Sequence, residues 1–266
     1  MNRIDQKFKQ LRSEEKKAFI AYITAGDPDI AITEQLVYAL EEAGVSMIEL
    51  GVPFSDPMAD GPTIQAASQR ALLNKVSLND ILAMVSRIRR RCEIPIALMT
   101  YYNPVFHMGD AQFTAAAVKA GVDGVIIPDL PPEEAGDLRK HAVKADFSTI
   151  FFMAPTTTDD RLKKIVHAAT GFIYYVSLTG VTGARSELSK SIATDIKRAR
   201  HLTDKPVCVG FGISTADHVR EVGKIADGVI VGSAIVKEIE KHIGKKDLVA
   251  HVARYVGGLV NALGKA

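Results

Sequence analysis

Two acidic residues bracket the most unusual string in the sequence, ELGVPFSDPMADGP (49–62). Glu49 is the penultimate residue of a short apolar run, SMIEL (46–50), between Ile48 and Leu50. If those neighbours face outward from a barrel, strand alternation points Glu49 into its mouth. A carboxyl in so poorly solvated a place has its pKa raised toward values useful in proton transfer. The other reading is a charge exposed at the rim or held in an ion pair. Asp60 lies in the loop that follows, beside Gly61 and Pro62, where an aspartate also serves as a turn or N-cap residue. Tyr174, within FIYYVS (172–177), could also reach inward, although a buried tyrosine is usually part of a core.

The elements that would position these groups alternate from end to end. Short apolar runs are AFIAYIT (18–24), SMIEL (46–50), PIALMT (95–100), GVIIP (124–128), TIFFM (149–153), FIYYVS (172–177), PVCVG (206–210) and GVIVG (228–232). Each has strand length and the bulky apolar content of strands buried on both faces. Helical patterns such as ITEQLVYALEEAG, AQFTAAAVKAG, DRLKKIVHAAT and SKSIATDIKRARHLT lie between them. Such alternation implies parallel strands joined by right-handed crossovers. A quasi-repeat, EEAGVSMIELG (41–51), VKAGVDGVIIPD (118–129) and GKIADGVIVGS (223–233), ends each helix in a small residue before a tight turn. Eight runs and a repeated unit fit an α/β (β/α)8 TIM barrel, one domain over residues 1–266. An open doubly wound sheet is the alternative, but no GxGxxG follows the first run. Ile4, Phe8 and Leu11 predict an extra N-terminal helix over 2–12 that covers the bottom of the barrel.

Catalytic groups in such barrels sit at the C-terminal strand ends and in the loops beyond. No apolar run carries a Lys near its end, which argues against an imine-forming lysine. Of seven histidines, only His107 falls in an expected loop near a strand end, and no His and carboxylate ligand set clusters along the sequence. A catalytic metal is therefore not expected, nor is a Ser-His-Asp elbow. A phosphate site is expected where the seventh and eighth runs lead into GFGIS (210–214) and VGSAIVK (231–237). Gly212 and Gly232 would let backbone N–H groups approach an anion, and Ser233 would add a hydroxyl at a helix start. Two ordinary turns needing Gly are the plainer explanation. SLTGVTGARSELSK (177–190) looks like a polar lid, or else a disordered loop.

The chain resembles the tryptophan synthase alpha subunit family over essentially its whole length. ELGVPFSDPMADGP is the most specific match, joined in the same order by TAGDP (24–28), SLTGVTGAR (177–185), GFGIS and VGSAIVK. The resemblance implies a cofactor-free lyase that splits indole-3-glycerol phosphate into indole and glyceraldehyde 3-phosphate by a retro-aldol reaction. It implies Glu49 as acid and base, Asp60 as partner of the indole N–H, and Tyr174, beside Tyr175, as an aid to proton transfer. It implies phosphate binding by Gly183, Gly212, Gly232 and Ser233, and an indole slot of Tyr22, Met99, Ile126 and Phe211. Tyr22 stands where relatives often have Phe, so its hydroxyl would need a partner if buried. Thr182 would bond Asp60 as the lid closes. A separate, pyridoxal-phosphate-dependent beta subunit is the implied partner in an alpha2beta2 heterotetramer, abutting the loop from Pro53 to Asp60. Some relatives act alone. A sugar-phosphate isomerase barrel and a purely regulatory barrel are the alternatives. The complete 49–62 string opposes the first, and retention of both acids opposes the second.

The bulk properties agree. A length of 266 residues is close to the about 250 typical of such barrels. Hydrophobic residues make up 47% and charged residues 24%, and the net charge of +2 comes from interspersed signs, so no nucleic-acid partner is indicated. Arg87 to Arg91 read as a solvated helix end. Cys92 and Cys208 have no ligand spacing and read as packing residues of a reducing compartment. The charged N-terminus lacks the apolar stretch of a signal peptide, and no run is long enough to span a membrane. A cytoplasmic protein is expected.

Overall fold

The run AFIAYIT is buried at every position, as a strand covered on both faces must be. It is the first of eight strands in a computed structural model that describes residues 1–176, 185–210 and 212–264. The chain begins with α1 (Arg3–Ser13), β1 (Ala18–Thr24), α2 (Ile30–Glu42), β2 (Met47–Gly51), α3 (Pro62–Leu73) and α4 (Leu78–Ile88). It continues through β3 (Ile96–Met99), α5 (Tyr102–Met108), α6 (Asp110–Ala120), β4 (Gly124–Ile126), α7 (Gly136–Lys144) and β5 (Ser148–Met153). Then follow α8 (Asp159–Ala168), β6 (Ile173–Val176), α9 (Arg185–Arg200), β7 (Val207–Gly210) and α10 (Ala216–Gly223). The last elements are β8 (Gly228–Val231), α11 (Ser233–His242) and α12 (Leu248–Leu263).

The strands pair in parallel in sequence order, and β8 returns to β1, closing the ring. Alternation along each strand sorts the side chains into two cores. Ile48 and Leu50 pack outward with the helices, whereas Met47, Ile20, Ile126, Ile150 and Cys208 fill the interior. The outward placing of Ile48 and Leu50 is the condition under which Glu49 must point in. One detail differs from the sequence reading. β2 runs one residue further, to Gly51, so Glu49 is its central residue rather than its penultimate one.

The extra N-terminal helix covers the N-terminal strand ends. Ile4 is fully buried against the interior layer, and the rings of Phe8 and Phe172 lie 5.7 Å apart. The Asn2 amide donates to Ser148 Oγ at the start of β5 (2.7 Å) and caps α1 through the Asp5 N–H. The repeat's glycine logic holds at Gly121, which ends α6 in the left-handed conformation at φ 91. In the third copy Gly223 is helical instead, and Lys224 caps α10. His107 also departs from expectation: it lies inside α5, not in a loop, because Tyr102–Met108 fold as a helix directly after β3. α9 begins at Arg185, inside the polar stretch 177–190 that the sequence reads as a loop, and residues 177–184 lie outside the described residues. No described helix is long and apolar enough to cross a membrane.

Two buried aspartates knit the ring. Asp27, after β1, accepts two bonds from the Arg70 guanidinium on α3 (2.8 and 2.9 Å), which fixes the helix following Asp60. Asp123, before β4, accepts from Arg89 (2.9 Å), Arg3 (3.0 Å) and the Ile96 N–H (2.9 Å). It thereby ties α1, α4 and β3 together. Removing one partner of such a buried set leaves the others uncompensated, at a cost of about 3–5 kcal/mol. Asp123→Ala should therefore lower the unfolding free energy by that amount in urea titrations; a loss below about 1 kcal/mol would class the cluster with ordinary surface pairs.

Candidate active site

At the C-terminal ends of the strands the ring opens into a cavity of about 770 Å³. Glu49, Asp60, Tyr174, Tyr22 and Met99 all line it. Register explains why the first groups meet. Tyr22 on β1 pairs with Glu49 on β2, and Glu49 pairs with Ala97 on β3, so they share one inward layer. Ala97 is small and leaves room in front of the carboxyl. Tyr174 enters from the opposite side, on β6, paired with Phe152 and Cys208.

Glu49 is 3% exposed, and its Oε2 finds no hydrogen-bond partner among the described residues. Burial pushes its pKa up to about 8; the nearby Asp60 charge adds to the rise, and the Tyr174 hydroxyl bond opposes it. Asp60 is half-buried, and loss of water raises its pKa to about 6, against the pull of a bond from Tyr101. Two carboxyls in one cavity are thus separated by their surroundings, one protonated and one ionised near neutral pH. The Tyr174 phenol is pushed well above its ordinary range by burial and then by Glu49, so it remains a donor.

Of the two adjacent tyrosines, Tyr174 faces the cavity. Tyr175 is fully buried among the helices and donates to Asp195 (2.8 Å). Gly210, across from β6, makes room for Tyr174: a Cβ there would lie 2.6 Å from the phenol. The Tyr22 hydroxyl finds its partner in Thr24 Oγ1 at 3.3 Å, so the added oxygen is accommodated. Ile126 behaves differently from Met99. It is fully buried in the interior layer and does not line the cavity.

Tyr101 was not singled out in the sequence, yet it holds the loop that carries Asp60. Its hydroxyl donates to Asp60 Oδ2 (3.1 Å) and accepts from the Ala59 N–H (2.9 Å). Its ring stacks on Phe54 at 5.0 Å. Its place just past β3, within TYYNP, was the available signal.

The other end of the cavity suits an anion. Gly212 (φ 74), Ser214, Gly232 and Ser233 line it. Ser233 opens α11, whose N-terminus has no side-chain cap, so its first amides face the cavity. Lys237 on the same helix adds positive charge at the rim, Lys241 is held there in an ion pair with Glu238 (2.7 Å), and Tyr255 from α12 adds a neutral hydroxyl. Lys237 closes the string VGSAIVK without having been singled out there, whereas Tyr255 had no sequence signal, because α11 and α12 meet only in the fold. Thr182, Gly183 and Phe211 lie outside the described residues. The expectation that no His and carboxylate groups cluster needs correction: Glu238, His242 and His251 come together where α11 meets α12.

The buried acid should mark stability. Its carboxyl is protonated in the folded chain up to about pH 8, but ionises above about 4.5 when unfolded. Folding therefore loses stability as pH rises through that window. Relative to Glu49→Gln, the native chain should lose on the order of a few kcal/mol between those pH values and nothing further above them. A stability difference independent of pH would show that Glu49 is ionised in the fold.

Comparison with known proteins bears on the same chain. The family model described as "Tryptophan synthase alpha chain" matches residues 8–263. The tryptophan synthase alpha chain of Geotalea daltonii is 51% identical over 246 residues, covering 92% of this chain and 93% of its own. The crystal structure of tryptophan synthase subunit alpha from Legionella pneumophila superposes with a TM-score of 0.93 at 38% identity, covering 100% of both chains. A structure of the tryptophan synthase α2β2 complex from Pyrococcus furiosus matches with a TM-score of 0.85 at 42% identity, over 92% of this chain and 99% of that one.

Proposed function

The chain belongs to the tryptophan synthase alpha chain family, and from that premise we propose that Glu49, Asp60 and Tyr174 carry out its reaction. That reaction is the retro-aldol cleavage of indole-3-glycerol phosphate to indole and glyceraldehyde 3-phosphate, in tryptophan biosynthesis. The enzyme is a carbon–carbon lyase.

The observation that carries the assignment is the buried Glu49, whose Oε2 has no partner among the described residues and whose pKa burial raises to about 8. Cleavage requires a proton on indole C3, which makes the ring a leaving group. The C3–carbon bond then breaks, its electron pair returns to the ring, and the side-chain hydroxyl gives up its proton as it becomes the aldehyde. Neutral Glu49 is able to supply the first proton, and its conjugate base to accept the second. Ionised Asp60 accepts the indole N–H and offsets the positive charge that develops on the ring. Tyr174, still protonated, supports the carboxylate state of Glu49 by hydrogen bonding. Each step uses a side chain of this chain, so the reading requires no cofactor.

Tyr22 and Met99 flank the flat ring in this reading, with Ile126 behind the wall and Phe211 assigned by resemblance, and Thr182 is assigned by resemblance as the lid residue that bonds Asp60. Gly212, Gly232 and Ser233 hold the phosphate, with Gly183 assigned by resemblance, and the uncapped α11 N-terminus supports that role. Residues 1–266 act as one catalytic unit built on the closed ring. The partner is the beta subunit: the Pyrococcus furiosus relative is described as an α2β2 complex. Met58, 82% exposed in the loop from Pro53 to Asp60, supports docking there. Buried, unpaired Cys92 and Cys208 support a cytoplasmic setting.

The test is a coupled assay for glyceraldehyde 3-phosphate, with and without beta subunit. Glu49→Gln should lose about 10²-fold or more in turnover, while Asp60→Asn should still bind phosphate. The profile of kcat/KM should fall below about pH 6 and above about pH 8, where Asp60 protonates and Glu49 ionises. Cleavage by Glu49→Gln at the native rate would remove the assignment.

A further inference from the structure

One wall of the cavity carries groups that the cleavage does not use. Glu238 lines the rim from α11, and His242 stands one turn further along the same helix. His251 comes from the first turn of α12. One ligand atom from each of the three lies within 4.8 Å of those from the others, and all three residues are half-buried.

The details prepare each group for coordination. The imidazoles of His242 and His251 stack with centroids 3.7 Å apart and planes 22° from parallel. His242 Nδ1 lies 2.9 Å from the Glu238 carbonyl oxygen. A carbonyl only accepts, so Nδ1 carries the hydrogen and Nε2 is the ring nitrogen left to face a metal. Metal-binding histidines are commonly oriented by such a bond. His251 Nε2 lies 3.4 Å from Glu238 Oε2. The other carboxylate oxygen, Oε1, accepts from Lys241 Nζ at 2.7 Å. That ammonium holds the Glu238 carboxyl below the usual range, and so keeps it ionised. Its charge opposes a cation, but it occupies the oxygen that coordination does not need.

We infer that Glu238, His242 and His251 form a binding site for a divalent transition-metal ion of the zinc class. Two imidazole nitrogens and one carboxylate oxygen suit such borderline ions; Mg²⁺ and Ca²⁺ prefer oxygen throughout. Three protein ligands with water in the remaining position are a common zinc arrangement. Bonds of about 2.0–2.1 Å draw the three atoms closer than they stand now, within reach of side-chain rotation at a half-buried surface. The bound ion clamps α11 to α12. Since α11 begins at Ser233, beside Gly232 in the cavity wall, the clamp stiffens the anion-binding end.

Zn²⁺ titrated into the full chain by calorimetry, in a buffer that does not chelate, tests the site. One equivalent should bind saturably, and His242→Gln and His251→Gln should each weaken binding by more than about tenfold. Co²⁺ in place of Zn²⁺ should give visible absorption that the double variant lacks. Zn²⁺ should raise the Tm of the native chain and leave that of the double variant unchanged, a comparison that does not depend on equal stability. Circular dichroism confirms that the variants fold. No saturable binding, or binding and a Tm rise that survive in the double variant, would overturn the proposal.

Discussion

Everything at the mouth of this barrel depends on one carboxyl denied both water and a full set of partners. Glu49 is enclosed by the ring, with Oε2 unpartnered among the described residues, and its burial favours the neutral form. A charged group so placed would be a liability for folding, and a neutral one is a poised acid. The barrel supplies the rigidity that keeps it there. Small Ala97 leaves space in front of it, Gly210 admits Tyr174, and the buried Asp27–Arg70 pair fixes the helix that follows Asp60.

Polarity is divided along the cavity. At one end two carboxyls are held in different states, because Asp60 retains partial exposure while Glu49, despite a bond from Tyr174, is almost fully enclosed. At the other end a helix N-terminus, glycine turns and Lys237 gather positive potential. A substrate with a flat apolar ring at one end and a phosphate at the other is oriented by this gradient before any proton moves. The loop bearing Asp60 also carries exposed Met58, so the residue proposed to receive the ring nitrogen sits next to the surface proposed for the partner.

The barrel was legible in the sequence because eight strands buried on both faces leave continuous apolar runs, and AFIAYIT matched β1 at both ends. Glu49 was legible for the same reason: alternation against Ile48 and Leu50 leaves it one direction. Its depth was not, since the strand's last residue, Gly51, looks like a turn. Tyr174 and Tyr175 could be told apart only by the ring, which sends one to the cavity and the other to Asp195. Tyr101 and Tyr255 were missed because their roles come from contacts between elements distant in sequence, whereas Lys237 lay within VGSAIVK, one helical turn past Ser233. The same holds for Glu238, His242 and His251, whose spacing of four and nine residues becomes a cluster only when α12 folds back along α11. His107 misled in the opposite sense, since a Pro-containing segment after a strand reads as loop but folds as α5.

The central claim concerns the protonation state of a single side chain, and it can be observed without turnover. Difference infrared spectra of the native chain against Glu49→Gln, recorded from pH 4 to 10, isolate the carboxyl stretch of Glu49. The account predicts a protonated C=O band that persists at neutral pH and gives way to carboxylate near the value of about 8. A band already lost by about pH 5, as for an ordinary glutamate, would contradict it.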